Sequence, residues 1–169
     1  MNNTNNYLSS YFTSYYGNLV PSINQYKILS NIIVKYSLSN KIMYHLYSSE
    51  SFCDFILVEN GIEQIICIEP NSELTRSALL LRKDLRSPNK ELVTIYNNTP
   101  LSNEFNYSNA NMILISFQTD LSKIISKINN ECKNNTLLII ECYLKPVIQL
   151  SEIYHFKLTD LINIYVYKL

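Results

Sequence analysis

The sequence predicts an α/β domain built on a doubly wound, mostly parallel, Rossmann-like sheet. Apolar runs of strand length recur along the chain and are separated by segments with helical periodicity. Such alternation is typical of a parallel sheet with right-handed crossovers and helices on both faces. The last two runs lie too close together for a crossover, so an antiparallel strand pair should close the sheet. A chain of 169 residues is long enough for one such domain.

The amino-terminal part is predicted to hold one helix. Residues 1–16 are rich in Asn, Ser and Tyr and should be irregular at the outset. Apolar residues then recur at intervals of three and four, which predicts an amphipathic helix over 21–39 with Pro21 in its first turn. We take 1–40 as this amino-terminal segment and 41–169 as the main domain. The apolar positions of the helix are Ile23, Tyr26, Leu29, Ile33 and Tyr36.

Strand and helix alternate through the middle of the chain. Ser51 can cap a helix, and Gly61 stands where glycine commonly ends one. The near-continuous apolar run that ends at Glu69 is typical of a strand buried on both faces. The predicted elements are a strand over 41–47, a helix over 51–60, a strand over 64–69, a helix over 72–85 and a strand over 92–96.

The last third of the chain follows the same pattern. An Asn-rich turn and a loop precede the fourth strand, and isoleucines spaced three and four apart predict the helix after it. Thr159-Asp160 is expected to form a tight turn between the two closing strands. The predicted elements are a strand over 112–116, a helix over 120–132, a strand over 136–142, a short helix over 146–154, and strands over 155–158 and 162–167.

Composition indicates a globular and electrically neutral protein. Hydrophobic residues make up 47% of the chain, and fourteen Lys+Arg balance fourteen Asp+Glu. A neutral chain carries no global electrostatic footprint for nucleic acid or an anionic membrane, and its weak self-repulsion favours a place inside a complex. The fourteen tyrosines fit an AT-rich coding bias, as in viruses, parasites or organelles. Base-stacking platforms are the alternative interpretation of these tyrosines.

The four cysteines indicate the compartment. They are scattered without a Cys-x-x-Cys pair, so neither a zinc finger nor a disulfide framework is predicted, and no metal ligand is assigned. We expect them to be reduced and structural, which indicates an intracellular, cytoplasmic setting (a host cytoplasm if the source is viral). No apolar stretch has the length of a membrane span, and the start of the chain does not read as a signal peptide.

Three features of the chain, taken in order, resemble those of a known family. The second strand ends in an acidic residue, Glu69, a polar loop, 97–99, follows the third strand, and a reversed strand pair ends the chain. In this order they resemble the Rossmann-like fold of class I S-adenosylmethionine-dependent methyltransferases over about 41–169. The resemblance implies that Glu69 binds the cofactor's ribose hydroxyls and that Asn98 lies at its adenine. Ser48 and Ser49, in the loop after the first strand, would complete the cofactor site.

The sequence also departs from that family. Its only glycines are Gly17 and Gly61, and the first loop reads 46-Leu-Tyr-Ser-Ser-Glu-50 where the family has an acidic residue followed by Gly-x-Gly. Side chains in this loop would crowd the methionine part of the cofactor. The segment 116–120 lacks the Asp/Asn-Pro-Pro-aromatic sequence, which argues against methylation of nucleobase amino groups. We therefore expect a degenerate form of the fold with no catalytic residue and no cofactor, or with S-adenosylmethionine if the protein is active.

Other polar residues have two interpretations each. His45 is either a hydrogen-bonded core residue or a catalytic one. Glu141, Cys142 and Tyr143 end the fifth strand and could line the same crevice as the first loop. A basic cluster on one predicted helix is either a solvated face or a contact for a protein or RNA partner. That cluster comprises Arg76, Arg82, Lys83 and Arg86.

Three functions remain open at this point. The first is a non-catalytic, methyltransferase-like protein that acts as a binding or regulatory subunit of a larger complex. The second is a divergent S-adenosylmethionine-dependent methyltransferase, and the third is a structural component of a ribonucleoprotein or viral assembly. The aromatic-rich segment 7–16 is the predicted docking element for a protein partner, unless it folds back and completes the core. RNA is a possible partner, and a membrane is not expected.

Overall fold

The computed structural model describes residues 23–36, 42–117, 121–133 and 135–169. Four helices, one short 3-10 helix and seven strands lie within these ranges. In chain order they are α1 (Ile23–Tyr36), β1 (Ile42–Leu46), α2 (Phe52–Glu59), β2 (Gln64–Glu69), α3 (Ser72–Asp84), the 3-10 helix (Pro88–Leu92), β3 (Val93–Asn97), β4 (Met112–Ser116), α4 (Ser122–Glu131), β5 (Leu137–Cys142), β6 (Glu152–Lys157) and β7 (Asn163–Lys168).

All seven strands belong to one sheet with the order β3-β2-β1-β4-β5-β7-β6. The first five are parallel to their neighbours, and β7 runs antiparallel between β5 and β6. The predicted fold class is therefore confirmed. Because β1 and β4 are neighbours and their crossovers leave in opposite directions, a crevice opens beyond their carboxyl ends, where open α/β sheets bind ligands.

Helices cover both faces of the sheet. On one face, α1, α2 and α3 pack on alternate strand residues such as Met43, Ile65 and Leu114. On the other face, α4 and the loop before β4 cover the opposite set, which includes Leu46 and Ile140. The strands β4 and β5 are buried along their whole length, as a strand between two helical layers must be.

Local sequence explains where most helices begin and end. Asn71 caps α3, because its Oδ1 accepts hydrogen bonds from the backbone N–H groups of Glu73 (2.9 Å) and Leu74 (3.3 Å). Gly61 has a φ of 104° just after α2, as the prediction of a C′ glycine requires. Ser51 does stand at the N-cap of α2, but its side chain makes no capping hydrogen bond. Its hydroxyl donates to Ser48 Oγ instead, at 3.3 Å.

The predicted short helix over 146–154 is wrong. The chain is irregular from 143 to 151 and then enters β6, which pairs with β7 from Glu152 to Lys157. Cross-strand pairing with β7 outweighs any local helical preference of this segment. The predicted antiparallel hairpin is confirmed, and Thr159 Oγ1 holds its turn by accepting the backbone N–H groups of Leu161 and Ile162.

Some predictions fall outside the described residues. These are the docking segment 7–16, the irregular start of the chain and the domain boundary at residue 40. Within the described ranges, no helix combines the length and the apolar character needed to cross a membrane.

Candidate functional site

The described residues at the carboxyl ends of β1 and β4 surround a small cavity. This cavity of the crevice has a volume of about 110 Å³. Nucleotide-sized ligands occupy pockets of about 300–1,000 Å³, so this cavity has room only for a few small groups. Its walls include His45, Ser48, Ser51, Ser116, Phe117 and Glu141.

Three residues of the loop after β1 adopt a left-handed backbone conformation that glycine adopts more easily than other residues. Every second residue of this loop is left-handed: Tyr47, Ser49 and Ser51 have φ values of 58°, 53° and 53°. A residue that carries a Cβ costs about 1–2 kcal/mol in this conformation. The loop is held by hydrogen bonds from Tyr47 N–H to the Ile68 carbonyl (2.8 Å) and from Ser51 N–H to the Ser48 carbonyl (2.9 Å).

Glu69 fastens this loop to the end of β2. Its Oε2 accepts the backbone N–H of Ser49 and its Oε1 accepts the backbone N–H of Asn71, both at 2.8 Å. The residue is only 5% exposed. Hydrogen bonds to an ionised acceptor are the stronger kind, so the carboxylate stabilises the closed loop. Glu69 thus stands where the resemblance predicts, but its oxygens bind the protein's own backbone.

The other predicted cofactor residues are also engaged within the protein. Ser48 is buried and contacts Ser51, whereas the Ser49 side chain is exposed. Asn98 donates from Nδ2 to Glu104 (2.7 Å), and its backbone N–H donates to the Glu69 carbonyl (3.2 Å). The structure therefore brings these residues together around Glu69. In this arrangement both Glu69 carboxylate oxygens accept hydrogen bonds from the protein's own backbone.

A row of polar side chains crosses the sheet beneath the crevice. Because side chains alternate between faces, His45, Cys67, Ser116 and Glu141 all point toward α2. His45 is paired in register with Cys67, and Ser116 with Glu141. Asp54 reaches the row from the first turn of α2. All five residues are buried, so each polar group needs a partner inside the protein.

These side chains form one hydrogen-bonded chain. His45 Nδ1 lies 2.8 and 3.0 Å from the two Asp54 oxygens, and His45 Nε2 lies 2.8 Å from Ser116 Oγ. Ser116 donates its single hydroxyl hydrogen to Glu141 Oε2 at 2.7 Å. The Ser116 oxygen must therefore accept a hydrogen bond from His45 Nε2–H. Because the Asp54 carboxylate can only accept, His45 Nδ1–H donates to it, and both ring nitrogens of His45 carry a proton in this arrangement.

Burial and charge shift the pKa values in this chain. Burial lowers the pKa of His45, but the neighbouring Asp54 carboxylate more than compensates, and the net pKa is raised. Burial raises the pKa of Glu141, although the Ser116 hydroxyl opposes this. Burial also raises the thiol pKa of Cys53 and Cys67, and Asp54 adds to the effect. The two cysteines therefore remain thiols at neutral pH, as expected for reduced, unreactive residues.

The sequence interpretation found part of this network. His45 is a hydrogen-bonded core residue, as one of its two interpretations states. Asp54 was missed, although a carboxylate within the apolar run 52–58 must find a buried partner if the helix packs on the sheet. In the basic cluster, Arg82 binds Glu91 through Nη2 at 2.6 Å, and Arg76 is exposed. A contact of this cluster with RNA stays a prediction.

A second and larger concavity lies beside the crevice. A groove of about 930 Å³ runs between α4 and the segment after β5. Glu141 lines the crevice as expected, whereas Cys142 and Tyr143 line this groove, which corrects their predicted place. The Phe117 and Tyr143 rings pack together with centroids 5.1 Å apart, and Leu144 is 82% exposed.

Comparison with known proteins bears on the fold. The sequence matches no protein-family model and no curated protein. A proposed methylase of Haemophilus influenzae is 15% identical, with 85% of this chain and 86% of that chain covered at a TM-score of 0.65. A proposed methyltransferase of Escherichia coli is 11% identical, with 87% and 85% covered at a TM-score of 0.68.

A third similar structure contains a ligand. The RNA methyltransferase of Salinibacter ruber, solved with S-adenosyl-L-homocysteine, is 13% identical, with 84% of this chain and 90% of that chain covered at a TM-score of 0.64. At such identities the likeness concerns the fold, and it agrees with the observed strand order. The chain therefore has the Rossmann-like fold of class I S-adenosylmethionine-dependent methyltransferases.

Proposed function

We propose that this chain is a methyltransferase-fold protein that serves as a non-catalytic binding subunit of a larger complex. One observation carries the proposal. Both oxygens of Glu69 accept backbone N–H groups of the protein itself, and the residue is buried. The carboxylate that would bind the ribose hydroxyls instead stabilises a closed loop.

The energy needed to open the crevice supports this proposal. A cofactor would have to displace the loop from Glu69, and a hydrogen bond to a charged group contributes about 1.5–3 kcal/mol. A factor of ten in affinity corresponds to about 1.4 kcal/mol, so losing one such bond weakens binding roughly tenfold or more. A bound cofactor would regain part of this energy by contacting protein groups. The closed loop covers those groups.

The groove supplies a surface for a partner. It places Tyr143, Leu144 and Val147, which are all largely exposed, next to the apolar side of α4. Exposed apolar residues that are contiguous commonly mark an interaction site. The proposed docking segment 7–16 lies outside the described residues and remains a separate proposal.

A divergent methyltransferase is the second candidate. Two observations favour it: Tyr47, Ser49 and Ser51 have the left-handed backbone that glycine favours, and one similar structure was solved with S-adenosyl-L-homocysteine. In this case the loop would open away from Glu69 to admit S-adenosylmethionine, which supplies an electrophilic methyl group. Glu69 would then bind the ribose hydroxyls.

Calorimetric titration with S-adenosylmethionine and S-adenosyl-L-homocysteine distinguishes the two. We expect no saturable heat from the wild-type chain. The matched variants are Glu69→Ala and Glu73→Ala, since Glu73 is an exposed acid in the next helix. Saturable binding by wild type and Glu73→Ala that is lost in Glu69→Ala would refute the non-catalytic proposal and support the enzyme.

Co-purification from the native source tests the partner. We expect a tagged wild-type chain to retain a protein in stoichiometric amount, and Leu144→Ser with Val147→Ser to retain less of it. Deletion of residues 1–16 tests the docking segment separately. Recovery of the chain as a monomer under mild conditions would contradict the subunit proposal, and co-purifying RNA would favour a ribonucleoprotein role.

A further inference from the structure

The groove beside α4 is almost free of charged side chains. It runs between α4 and residues 142–150 and has a volume of about 930 Å³. Among the described residues that line it, Lys145 alone carries a charge, and its Nζ is paired with Glu152 Oε2 at 2.7 Å. We propose that segment 7–16 of the same chain occupies this groove when no partner is bound.

The amino-terminal part of the chain is uncharged as well. Residues 1–26 contain no Asp, Glu, Lys, Arg or His, and Lys27 is the first charged residue. A charged peptide or a nucleic acid would bring charges into a groove whose described residues offer no unpaired counter-charge, and burying an unpaired charge is costly. An uncharged segment avoids this cost, so electrostatics favour segment 7–16 as the occupant.

Segment 7–16 supplies large side chains for the groove to bury. They occur in three pairs, with two Ser or Thr residues between one pair and the next: Tyr7-Leu8, Tyr11-Phe12 and Tyr15-Tyr16. Residues four apart can face the same side of a chain with helical turns. All three pairs can therefore enter the groove while the small hydroxyl residues stay in water. Each aromatic side chain buries about 150–250 Å², so a covered position is strongly favoured over an exposed one.

The walls of the groove suit tyrosine side chains. Ile125 of α4 lines one wall and Leu144 lines the other, and both are apolar. Ser126, Asn129 and Asn130 add polar groups along α4, and all three residues are exposed. A tyrosine that packs its ring on apolar atoms still needs a hydrogen-bond partner for its hydroxyl. The groove provides both kinds of contact.

The start of α1 places the segment within reach of the groove. The Gln25 amide donates to the Leu158 carbonyl, and the Tyr26 hydroxyl donates to Glu141 Oε1 at 3.5 Å. The first turn of α1 therefore lies at the carboxyl end of β5, and the residues that follow Glu141 line the groove. Residues 17–22 connect the segment to α1, and six extended residues span up to about 20 Å. This is roughly twice the separation of two packed layers, about 10 Å, so the chain can pass around the end of β5.

Occupation of the groove would regulate the binding of a partner. In the free chain the segment folds back onto its own domain, which is the alternative to docking on another protein. A partner that uses the groove must displace the segment, so its apparent affinity is lowered in proportion to the fraction of chains with a free groove. The isolated chain is sufficient to test this, and the result does not depend on the proposed function.

Photocrosslinking of the isolated, full-length chain tests the proposal. Benzoylphenylalanine in place of Phe12 keeps an aromatic ring in the segment and reacts with neighbouring C–H bonds on irradiation. Mass spectrometry of the irradiated monomer should map the cross-links to residues 121–130 and 142–150, which include the lining of the groove. A mixture of isotope-labelled and unlabelled chains shows whether each cross-link lies within one chain.

A charge in the wall of the groove should release the segment. We expect Ser126→Glu to lower the yield of these cross-links by about tenfold or more, because an unpaired charge is costly to cover. The matched control is Lys123→Glu, which introduces the same side chain at an exposed position of α4 outside the groove and should leave the yield unchanged.

Three results would overturn the proposal. Cross-links to another surface, or none at all, would show that the segment does not occupy the groove. Cross-links between labelled and unlabelled chains would assign the groove to a second copy. Equal yields with Ser126 intact and with Ser126→Glu would show that this wall does not hold the segment. If Ser126→Glu fails to fold, the map obtained with the native groove decides alone.

Discussion

The crevice beyond β1 and β4 and the groove beside α4 lie at the same edge of the sheet, yet they differ in size and in the exposure of their walls. The cavity of the crevice has a volume of about 110 Å³, and its walls include the buried polar side chains of His45, Ser116 and Glu141. The groove has a volume of about 930 Å³, and its walls include the exposed apolar side chains of Tyr143, Leu144 and Val147. Hydrogen bonds within the protein hold the loop of the crevice, whereas these three side chains of the groove face solvent.

The comparison shows that the position of the crevice and its capacity to bind a ligand depend on different features of the protein. Strand order fixes where a crevice must form, because β1 and β4 are neighbours whose crossovers diverge. Whether that crevice admits a ligand depends on the loop after β1 and on what Glu69 binds. Here the loop carries side chains at left-handed positions, and Glu69 binds its backbone through Ser49 N–H.

Breaking the buried network should have the largest effect on stability. Asp54→Ala leaves the His45 imidazole without its carboxylate partner, and removing one member of a buried ion pair costs about 3–5 kcal/mol. Urea unfolding of the wild-type and variant proteins measures the loss. The control is Asp84→Ala, which removes an exposed acid and should change stability by less than about 0.5 kcal/mol. Equal effects of the two changes would contradict a network that holds the crevice closed.

Releasing the loop should have the next largest effect. Glu69→Ala removes two hydrogen bonds to a carboxylate, each of which contributes about 1.5–3 kcal/mol. Because the donors belong to the exposed residues Ser49 and Asn71, water can replace part of this energy, and we expect a total loss of about 2–3 kcal/mol. Amide hydrogen exchange should accelerate at Ser49 and Asn71, which donate to Glu69, and not in β5. Unchanged protection at Ser49 would show that Glu69 does not hold the loop.

Relieving the backbone strain of the loop should stabilise the protein. Ser49 has a φ of 53° and an exposed side chain, so Ser49→Gly removes an unfavourable conformation without removing packing. We expect a gain of about 0.5–1 kcal/mol, since the relief exceeds the extra entropy that glycine gives the unfolded chain. The matched change Ser126→Gly, on the exposed side of α4, should instead destabilise by about 0.5 kcal/mol. Destabilisation by both changes would show that the loop is not strained.

Changes in the groove should have the smallest effect on folding. Val147 is fully exposed, so Val147→Ser should alter the free energy of unfolding by less than about 0.5 kcal/mol. The same substitution at Val166, buried in β7, should cost about 2–4 kcal/mol. Thermal unfolding of the two variants measures the contrast. A large loss at Val147 would mean that the groove is part of the core rather than a free surface.

Most of the fold could be predicted from local pattern, and the exceptions have identifiable causes. The apolar runs placed β1, β2, β4 and β5 nearly to the residue, because strands buried on both faces leave a clear signal. The segment 146–154 was predicted as a helix because its pairing with β7 depends on residues that follow it in the chain. Such pairing outweighs a weak local preference for a helix. A stretch of sequence around 146–154 does not include the β7 residues that form the pairs.

For the candidate site, the positions of some residues could be predicted from the sequence, whereas their partners depend on the tertiary structure. Glu69 at the end of the second strand, the glycine-poor loop before it and the polar His45 within an apolar run can all be read from the residues. The hydrogen-bond partners in this network cannot be read from the sequence, because Asp54, Ser116 and Glu141 come from three other elements of the chain. Only the packing of α2 on the sheet brings Asp54 to His45, and only the strand register sets Ser116 beside Glu141.

The sequence by itself determined the architecture of this protein, because alternation of apolar runs and amphipathic segments is a local property that specifies a layered α/β fold. The tertiary structure alone decided that the crevice is closed and that the groove is open. The loop is held by hydrogen bonds between residues that are distant in the sequence. Ser49 N–H and Glu69 Oε2, for example, are 20 residues apart in the chain and 2.8 Å apart in the structure. Contacts of this kind are fixed by how the elements pack, and composition and periodicity carry no information about them.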